Sequence, residues 1–245
     1  MLRNAMQPGN EKGSVKIHHE HRWDLSLSEA REIQKDLAQY VVEMPLDRPI
    51  SAIAGVDVSV KANRVRAVVA VLSYPELEPI DKSVWEGGAT FPYIPGYLSF
   101  REIPVLLNAI AGLRTEPDLF ITDGHGRAHP RRFGLACHLG VLLDIPTIGV
   151  AKSRLTGIHE DPCQEKGCSV PLLDAKADEC IGAVLRTRTG VKPVFVSVGH
   201  RVTLNDAVEI TLRCTTRYKL PETTRWAHRI SREWRVEGGE WRSEC

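Results

Sequence analysis

The sequence predicts an α/β protein in which a mixed sheet is flanked by helices. Three segments rich in β-branched residues, 50–60, 64–74 and 80–86, follow one another with short connections. This arrangement indicates a three-stranded antiparallel meander. Further along the chain helical and strand patterns alternate, which is typical of parallel strands. We therefore expect one layer of strands between two layers of helices.

Most of the chain, residues 23–245, is expected to form one domain, because a mixed sheet of this kind belongs to a single domain. The sequence shows no internal repeat and no low-complexity segment. Residues 1–22 are polar and are predicted as a loose N-terminal arm. Residues 157–180 combine proline, glycine and charged residues and are predicted as a surface excursion from the domain.

The first predicted helix covers residues 24–43. Ser26 and Glu29 have the spacing of a capping box, in which two side chains satisfy two free backbone N–H groups. Pro45 and Pro49 lie beyond its end. Apolar residues recur within it at steps of three and four and mark one buried face: Ala30, Ile33, Leu37 and Val41.

The second predicted helix follows the segment TFPYIPGYLSF, residues 90–100, whose two prolines and glycine indicate a shaped loop. Ser99 is predicted to cap this helix with Glu102 as its capping-box partner. The remaining predicted elements follow in chain order: a strand at 118–123, a helix at 133–143, strands at 146–151, 179–187 and 193–202, and helices at 204–215 and 223–235.

The composition is that of an ordinary globular protein, with 42% hydrophobic and 26% charged residues. The net charge of +1 carries no signal for nucleic acid, so any such contact must come from local clusters. No apolar run reaches the ~18 residues of a membrane span, and residues 1–20 lack the apolar core of a signal peptide. We expect a cytoplasmic protein without a membrane partner.

The chain has six cysteines, and without an export signal we expect them to be reduced. Cys163, Cys168 and Cys180 lie within or at the edge of the predicted excursion. Their spacing differs from the two tight pairs of a zinc knuckle, so we expect no zinc there.

Three acidic residues lie where predicted elements begin, end or are interrupted. Asp57 interrupts the apolar strand AGVDVSV, Glu102 lies in the first turn of a helix in SFRE, and Asp123 closes the strand in FITDGHG. A buried carboxylate needs a partner or a metal ion, and carboxylate oxygens suit Mg²⁺ or Mn²⁺. Alternatively, Glu102 is a simple helix-cap acid and Asp123 only caps a turn.

The loop after Asp123 is rich in cations. Lys152 follows the next strand and is expected at the same edge of the sheet, where α/β proteins bind ligands. His228 lies three residues after Arg225 on one face of the last helix; the alternative role for it is structural. The loop itself carries three arginines that are expected to neutralise phosphates, unless it is only a solvated basic loop: Arg127, Arg131 and Arg132.

Several motifs together resemble the endonuclease V family of deoxyinosine-specific repair nucleases. The similarity runs in the family's order from about residue 24 to residue 234. It rests on five stretches: AGVDVSV, PYIPGYLSFRE, ITDGHGRAHPRRFGLACHLG, IGVAKSRLTG and TRWAHRIS. The resemblance implies a ribonuclease H-like fold, which agrees with the predicted meander and the alternation after it. The N-terminal arm and the length of the excursion depart from the family's compact members.

The resemblance also implies roles for individual residues. Asp57, Glu102 and Asp123 match the family's metal-binding carboxylates. Tyr93 matches a wedge that enters the duplex at the lesion, and the prolines around it would stiffen the loop beforehand. Three further residues match positions near the metals and the scissile phosphate: His129, Lys152 and His228.

The remaining site residues implied by the resemblance belong to substrate binding. The hypoxanthine pocket is expected along Ile94, Gly96 and Leu98. Main-chain groups are expected to read the extruded base where glycines permit close approach, at Gly124, Gly126 and Gly149. Arg127 and Arg131 are expected to contact the DNA backbone.

The resemblance implies a Mg²⁺-dependent endonuclease, with Mn²⁺ as a substitute. It is expected to flip out hypoxanthine and to hydrolyse the second phosphodiester bond on the 3′ side, leaving 3′-hydroxyl and 5′-phosphate ends. The expected partner is deoxyinosine-containing DNA, single- or double-stranded, bound by a monomer. Inosine-containing RNA and the number of bound metal ions remain open at this point.

Two other classes of protein fit part of the pattern. A sugar-kinase or actin-like ATPase also opens with glycine and aspartate on a first strand, as in Gly55 to Asp57. That class would need a second phosphate loop, and the sequence shows none. A nucleic-acid binder that has lost its chemistry is the other alternative, and the three intact acids argue against it.

Overall fold

The computed structural model describes residues 16–61, 64–88 and 91–233. Within these ranges eight strands form one sheet in the order β3-β2-β1-β4-β5-β8-β7-β6. The strands are β1 (Ala52–Lys61), β2 (Arg64–Ser73), β3 (Pro79–Gly88), β4 (Leu119–Thr122), β5 (Thr147–Ala151), β6 (Ser169–Leu173), β7 (Cys180–Leu185) and β8 (Val194–His200).

The predicted meander is confirmed, since β1, β2 and β3 pair in antiparallel fashion. The predicted parallel strands are confirmed for β1, β4 and β5, which lie side by side. The last three strands differ from that pattern because β8, β7 and β6 add to the sheet in antiparallel fashion. The sheet is therefore mixed, with its parallel strands in the middle.

Among the described residues, five helices cover the two faces of this sheet. One face packs against α2 and α3, and α1 lies outside them against α3. The opposite face packs against α4 and α5. Their bounds are α1 (Leu27–Ala38), α2 (Leu98–Ala111), α3 (Leu135–Leu143), α4 (Leu204–Arg213) and α5 (Glu222–Arg232). No helix in the described ranges is long and apolar enough to cross a membrane.

The two predicted capping boxes have different outcomes. Ser26 and Glu29 form the box at α1 as predicted. At α2 the prediction is wrong, because the helix begins at Leu98 and its N-cap residue Tyr97 makes no side-chain cap. Ser99 lies inside the first turn, where its buried hydroxyl hydrogen-bonds His138 Nδ1 at 3.0 Å. Its side chain is thus committed to α3 rather than to the helix end.

The predicted excursion, 157–180, contains the edge strand β6, which pairs with β7. The expectation of reduced cysteines is wrong for one pair, since Cys163 and Cys168 form a disulfide with Cα atoms 5.7 Å apart. The guanidinium of buried Arg186 holds the same turn by hydrogen bonds to the carbonyls of Cys163 and Pro162. The segment is thus joined to the sheet by backbone pairing and by a side chain of β7's end.

Residues 1–15 of the predicted arm lie outside the described residues, as do residues 234 and 235 of the last predicted helix. The rest of the arm packs on the domain: His18 N–H donates to the carbonyl of Leu142 at 2.7 Å. His21 Nε2 lies 2.8 Å from His138 Nε2. The end of the arm is therefore held against α3, in contrast to the loose segment that its polar composition predicts.

Candidate active site

Two of the predicted acids lie side by side where the ladder between β1 and β4 ends. The parallel pairing runs to Val56 opposite Thr122, so Asp57 and Asp123 are the next residues on neighbouring strands. Adjacent strands are roughly 4.8 Å apart. Both residues keep partial exposure, since each follows the last paired position of the ladder. The sheet itself therefore brings two residues 66 positions apart in sequence to one edge.

Helix α5 supplies the immediate partners of Asp57. A Cβ atom on Gly55 would lie 2.2 Å from the carbonyl carbon of Thr223, so only glycine lets the helix backbone lie this close to β1. The Ser231 hydroxyl donates to Asp57 Oδ2 at 2.5 Å, and His228 Nδ1 lies 3.3 Å from Oδ1. His228 is thus brought to the site as predicted from the sequence.

Glu102 reaches the same region from α2. Burial of its carboxyl group, and next the negative charges of Asp57 and Asp123, raise its pKa to about 8. In the described ranges no group of three or more His, Cys, Asp or Glu side chains is arranged to hold a metal ion as it stands. The negative charges of Asp57 and Asp123 thus act on Glu102. Asp57 is hydrogen-bonded to Ser231 of α5, and Asp123 is hydrogen-bonded to Lys152.

A pocket of about 310 Å³ opens beside Asp123. Tyr93 lies at the pocket wall with 67% of its surface exposed, so it is not part of the core. Residues 152–155, after β5, form part of the lining. The pocket brings together eight of the residues predicted from the sequence: Tyr93, Ile94, Gly96, Leu98, Asp123, Gly124, His129 and Lys152.

The wall formed by the loop before α2 is a tight turn. Tyr97 N–H donates to the carbonyl of Ile94 at 3.0 Å, and Gly96 has a φ of +80°. Proline followed by glycine with positive φ is the sequence of a type II turn. The guanidinium of Arg131 contacts this turn. It donates to the Gly96 carbonyl at 2.6 Å and lies over the Tyr97 ring, 4.3 Å from its centre. In this arrangement Arg131 makes its contacts within the protein, and its contact with the DNA backbone stays a prediction.

His129 is placed at the pocket, but its ring nitrogens are both used by the protein. Nε2 faces the carbonyl of Gly96 at 3.1 Å and must carry the hydrogen, because a carbonyl only accepts. Nδ1 then accepts from the backbone N–H of Arg131 at 3.2 Å. Burial, and next the charge of Arg131, lower the pKa of His129 to about 4. The ring is therefore neutral and holds the turn, and its predicted role near the metals and the scissile phosphate stays a prediction.

Gly126 and Gly149, which are predicted to read a base, both lie against protein backbone. A Cβ on Gly126 would lie 2.0 Å from the carbonyl oxygen of Val198, and its N–H donates to Ser197 at 2.9 Å. A Cβ on Gly149 would lie 2.5 Å from the backbone nitrogen of Gly126. Protein backbone occupies the close approach that these glycines permit, so they pack the loop after β4 onto the sheet.

The other two arginines of the basic loop are held in ion pairs. Arg127 contacts Glu43 at 3.3 Å and Glu179 at 2.8 Å. Arg132 contacts Glu179 at 2.9 Å and Asp174 at 2.7 Å. In this arrangement neighbouring carboxylates pair with both cations, and their contact with phosphates stays a prediction. They fasten the loop to the end of the 157–180 segment.

Three residues of the site region were not predicted from the sequence. Ser231 lies three positions after His228 on the same helix, a spacing that places both over Asp57. Gln34 lies on the apolar face of α1, where a polar residue signals an internal hydrogen-bond partner. Lys219 has its pKa lowered by burial and by the charges of nearby lysines, among them Lys152. No local sequence signal marks Lys219.

The fold and the site together define a nuclease of the ribonuclease H-like class, with acids at the strand ends of a mixed sheet beside a pocket. The sequence profile of the endonuclease V family matches residues 35–229. The chain belongs to the endonuclease V family. This membership excludes the ATPase alternative.

Individual relatives agree with this assignment. Endonuclease V of Nostoc punctiforme is 49% identical over 220 residues, which are 89% of this chain and 99% of that protein. The crystal structure of endonuclease V from Streptomyces avermitilis is 44% identical, with a TM-score of 0.81, covering 90% of this chain and 97% of that one. Endonuclease V from Ciona intestinalis, in complex with a 24mer DNA containing an inosine followed by a ribo-adenosine, is 28% identical with a TM-score of 0.74, covering 84% and 96%.

Proposed function

We propose that the protein recognises hypoxanthine in DNA and hydrolyses the second phosphodiester bond on its 3′ side, leaving 3′-hydroxyl and 5′-phosphate ends. One observation supports this most directly: Asp123 and Lys152 line the same pocket as Tyr93, Gly96 and Leu98. A base held in the pocket would therefore place its own strand beside the acids. A relative's complex with inosine-containing DNA supports the choice of substrate.

Base flipping is part of this proposal, because a base inside a duplex cannot enter a pocket. Extrusion costs a few kcal/mol and least at a mispair, so an inosine–thymine pair favours it. Tyr93 is exposed at the pocket wall and precedes the rigid Pro95–Gly96 turn. An aromatic ring on such a turn can fill the gap that the base leaves and lose little entropy in doing so.

The cation proposed for the reaction is Mg²⁺, with Mn²⁺ as a substitute. Asp57, Glu102 and Asp123 would hold it, since hard cations prefer carboxylate oxygens. When bound, such an ion supplies an activated water and stabilises the leaving 3′ oxygen. The raised pKa of Glu102 supports the assignment, because burial and the like charges of Asp57 and Asp123 both disfavour its carboxylate, and a bound cation would offset them. Lys152, which donates to Asp123, would contact the phosphate.

Selection against guanine is proposed to come from crowding of its exocyclic 2-amino group in the pocket. The wall at Gly96 and Leu98 is the candidate for this contact, as the turn at Gly96 is fixed by hydrogen bonds from three side chains. Leu98→Ala shortens the side chain at this wall and enlarges the pocket, so it should raise cleavage at guanine relative to inosine.

The test is a matched panel of oligonucleotides with inosine, guanine or adenine at one position. DNA and RNA, single- and double-stranded, are incubated with the protein in Mg²⁺, in Mn²⁺ and in a chelator. We expect a nick at the second phosphodiester bond on the 3′ side of inosine, and we expect it only when a divalent cation is present. Binding of inosine-containing DNA without any nick would favour the non-catalytic alternative, and the DNA and RNA arms decide between the two substrates.

A further inference from the structure

Gln34 has an unusual position for a polar residue. It lies on α1, the helix that packs against α3, where it is 1% exposed and borders the pocket. Its Nε2 donates to the carbonyls of Gly96 and Phe133, each at 3.1 Å. Its Oε1 accepts from Arg131 Nε at 2.5 Å. Two carbonyls on one side and a guanidinium N–H on the other leave a single orientation for the amide.

These contacts join three separate parts of the chain. Gly96 belongs to the turn that forms the pocket wall, Phe133 precedes α3, and Arg131 comes from the loop after β4. The Gly96 carbonyl also accepts from Arg131 and from neutral His129. Gln34 is therefore the residue through which α1 fixes the wall turn relative to the loop that follows Asp123.

We propose that Gln34 is a positioning residue for base selection: its amide holds the turn at residues 94–97 in the shape that accepts hypoxanthine. The proposal rests on the proposed function of that pocket. Gln34 acts through the turn, because all its polar atoms are engaged within the protein. A pocket held in shape beforehand loses little free energy in ordering when the base enters, and this advantage disappears when the turn is released.

Two variants of Gln34 separate the donor from the bulk of the side chain. Gln34→Glu keeps the size and the acceptor for Arg131 but loses the NH₂ group that holds the two carbonyls. Gln34→Leu removes all three hydrogen bonds. The matched control is Gln39→Leu, because Gln39 is exposed just after the same helix and away from the pocket.

The first measurement is steady-state nicking of a duplex with one inosine, with the adenine duplex as reference for binding. For Gln34→Glu and Gln34→Leu we expect KM for the inosine duplex to rise about tenfold, the scale of one to two lost hydrogen bonds, with kcat changed much less. Affinity for the adenine duplex should stay unchanged, because Gln34 is 1% exposed and its polar atoms are all engaged within the protein. A lower melting temperature with unchanged KM would show a merely structural role and overturn the proposal.

The second measurement is hydrogen exchange of the protein without DNA, which does not depend on activity. Amides of residues 94–98 should exchange about tenfold faster in Gln34→Glu than in the wild type, and Gln39→Leu should match the wild type. Unchanged exchange in this turn overturns the proposal even if activity is lost. If the wild type shows no preference for inosine, the proposed function fails and the base-selection role fails with it, whereas exchange still reports whether Gln34 holds the turn. Should Gln34→Leu not fold, both measurements stand on Gln34→Glu.

Discussion

The pocket wall and the acidic edge lie next to each other, yet they are built in opposite ways. In the wall, the carbonyl of Gly96 receives hydrogen bonds from Gln34, His129 and Arg131, and each of these side chains has a second partner. At the acidic edge, Glu102 faces the like charges of Asp57 and Asp123 while partly removed from water. The polar groups of the wall are satisfied by protein atoms alone. At the acidic edge, Lys152 pairs with Asp123 and Ser231 donates to Asp57, yet Glu102 still faces two like charges.

This difference indicates that the two regions have different functions, base recognition in the wall and catalysis at the acidic edge. A wall with satisfied polar groups can keep one shape before substrate arrives, which suits selection among similar bases. Clustered carboxylates that repel one another cost stability in the empty protein and favour any cation that enters. Recognition is therefore expected to depend on internal hydrogen bonds, and chemistry on a charge supplied from outside.

The largest expected effect is at the acidic edge. Asp57→Asn keeps an acceptor for Ser231 but removes one negative charge, so nicking of an inosine duplex should fall by about 10³-fold, the upper range for loss of one group that stabilises transition-state charge. Binding of the same duplex should change little. Asp36→Asn, an exposed carboxylate on α1, is the control and should nick like the wild type. Retained nicking by Asp57→Asn in Mg²⁺ would remove Asp57 from the site.

A smaller effect is expected from the exposed aromatic at the wall. Tyr93→Ala should lower the preference for inosine over adenine by about 10- to 100-fold, because stacking of a base on an aromatic ring is worth about 1–3 kcal/mol. Affinity ratios measured without divalent cation give the preference. Tyr40→Ala is the matched control, since Tyr40 is also exposed but lies beside His19, away from the pocket. An unchanged ratio for Tyr93→Ala contradicts the wedge role.

The acidic edge was predictable from the sequence because strand ends and helix starts fix where backbone lies. Asp57 and Asp123 each follow an apolar strand segment, and the register of β1 and β4 then brings them together. Of the two partners of Asp57 on α5, only His228 was predicted, through the resemblance. No sequence motif marks Ser231 as the other partner. The motifs specify backbone position well and side-chain partners poorly.

The basic loop was predicted less well, for a physical reason. Its arginines suggest phosphate binding when only neighbouring residues are considered. Their actual partners, Glu43, Asp174 and Glu179, are distant in sequence and become neighbours only when the chain folds. The same holds for Gln34 and His129, whose hydrogen bonds cross 62 and 33 residues. Local charge therefore predicts a site less reliably than the position of a residue at a strand end.

The smallest expected effect is on the pH dependence of stability. Titration at the acidic edge lowers stability as pH rises, whereas titration in the wall lowers it as pH falls. In a chelator, Glu102 has a folded-state pKa of about 8 against 4.5 for the ordinary carboxyl, so the folded protein binds more protons between these values. Its contribution to stability is complete below pH 4.5 and is lost as pH rises through about 8. Glu102→Gln should remove this decline, with a gain of about 2–4 °C in Tm per kcal/mol at pH 8 and little change near pH 4.5.

His129 gives the reverse dependence, because its folded-state pKa of about 4 lies below the ordinary 6.5. Between these values the unfolded chain binds more protons, so stability falls as pH drops from 6.5 towards 4. Thermal melts of Glu102→Gln from pH 4 to pH 9 should therefore lose the alkaline decline and keep the acid one. Loss of both declines in this one variant would mean that the acidic edge and the wall do not titrate as separate regions. Adding Mg²⁺ to the wild type should also remove the alkaline decline, because a bound cation offsets the same repulsion between carboxylates.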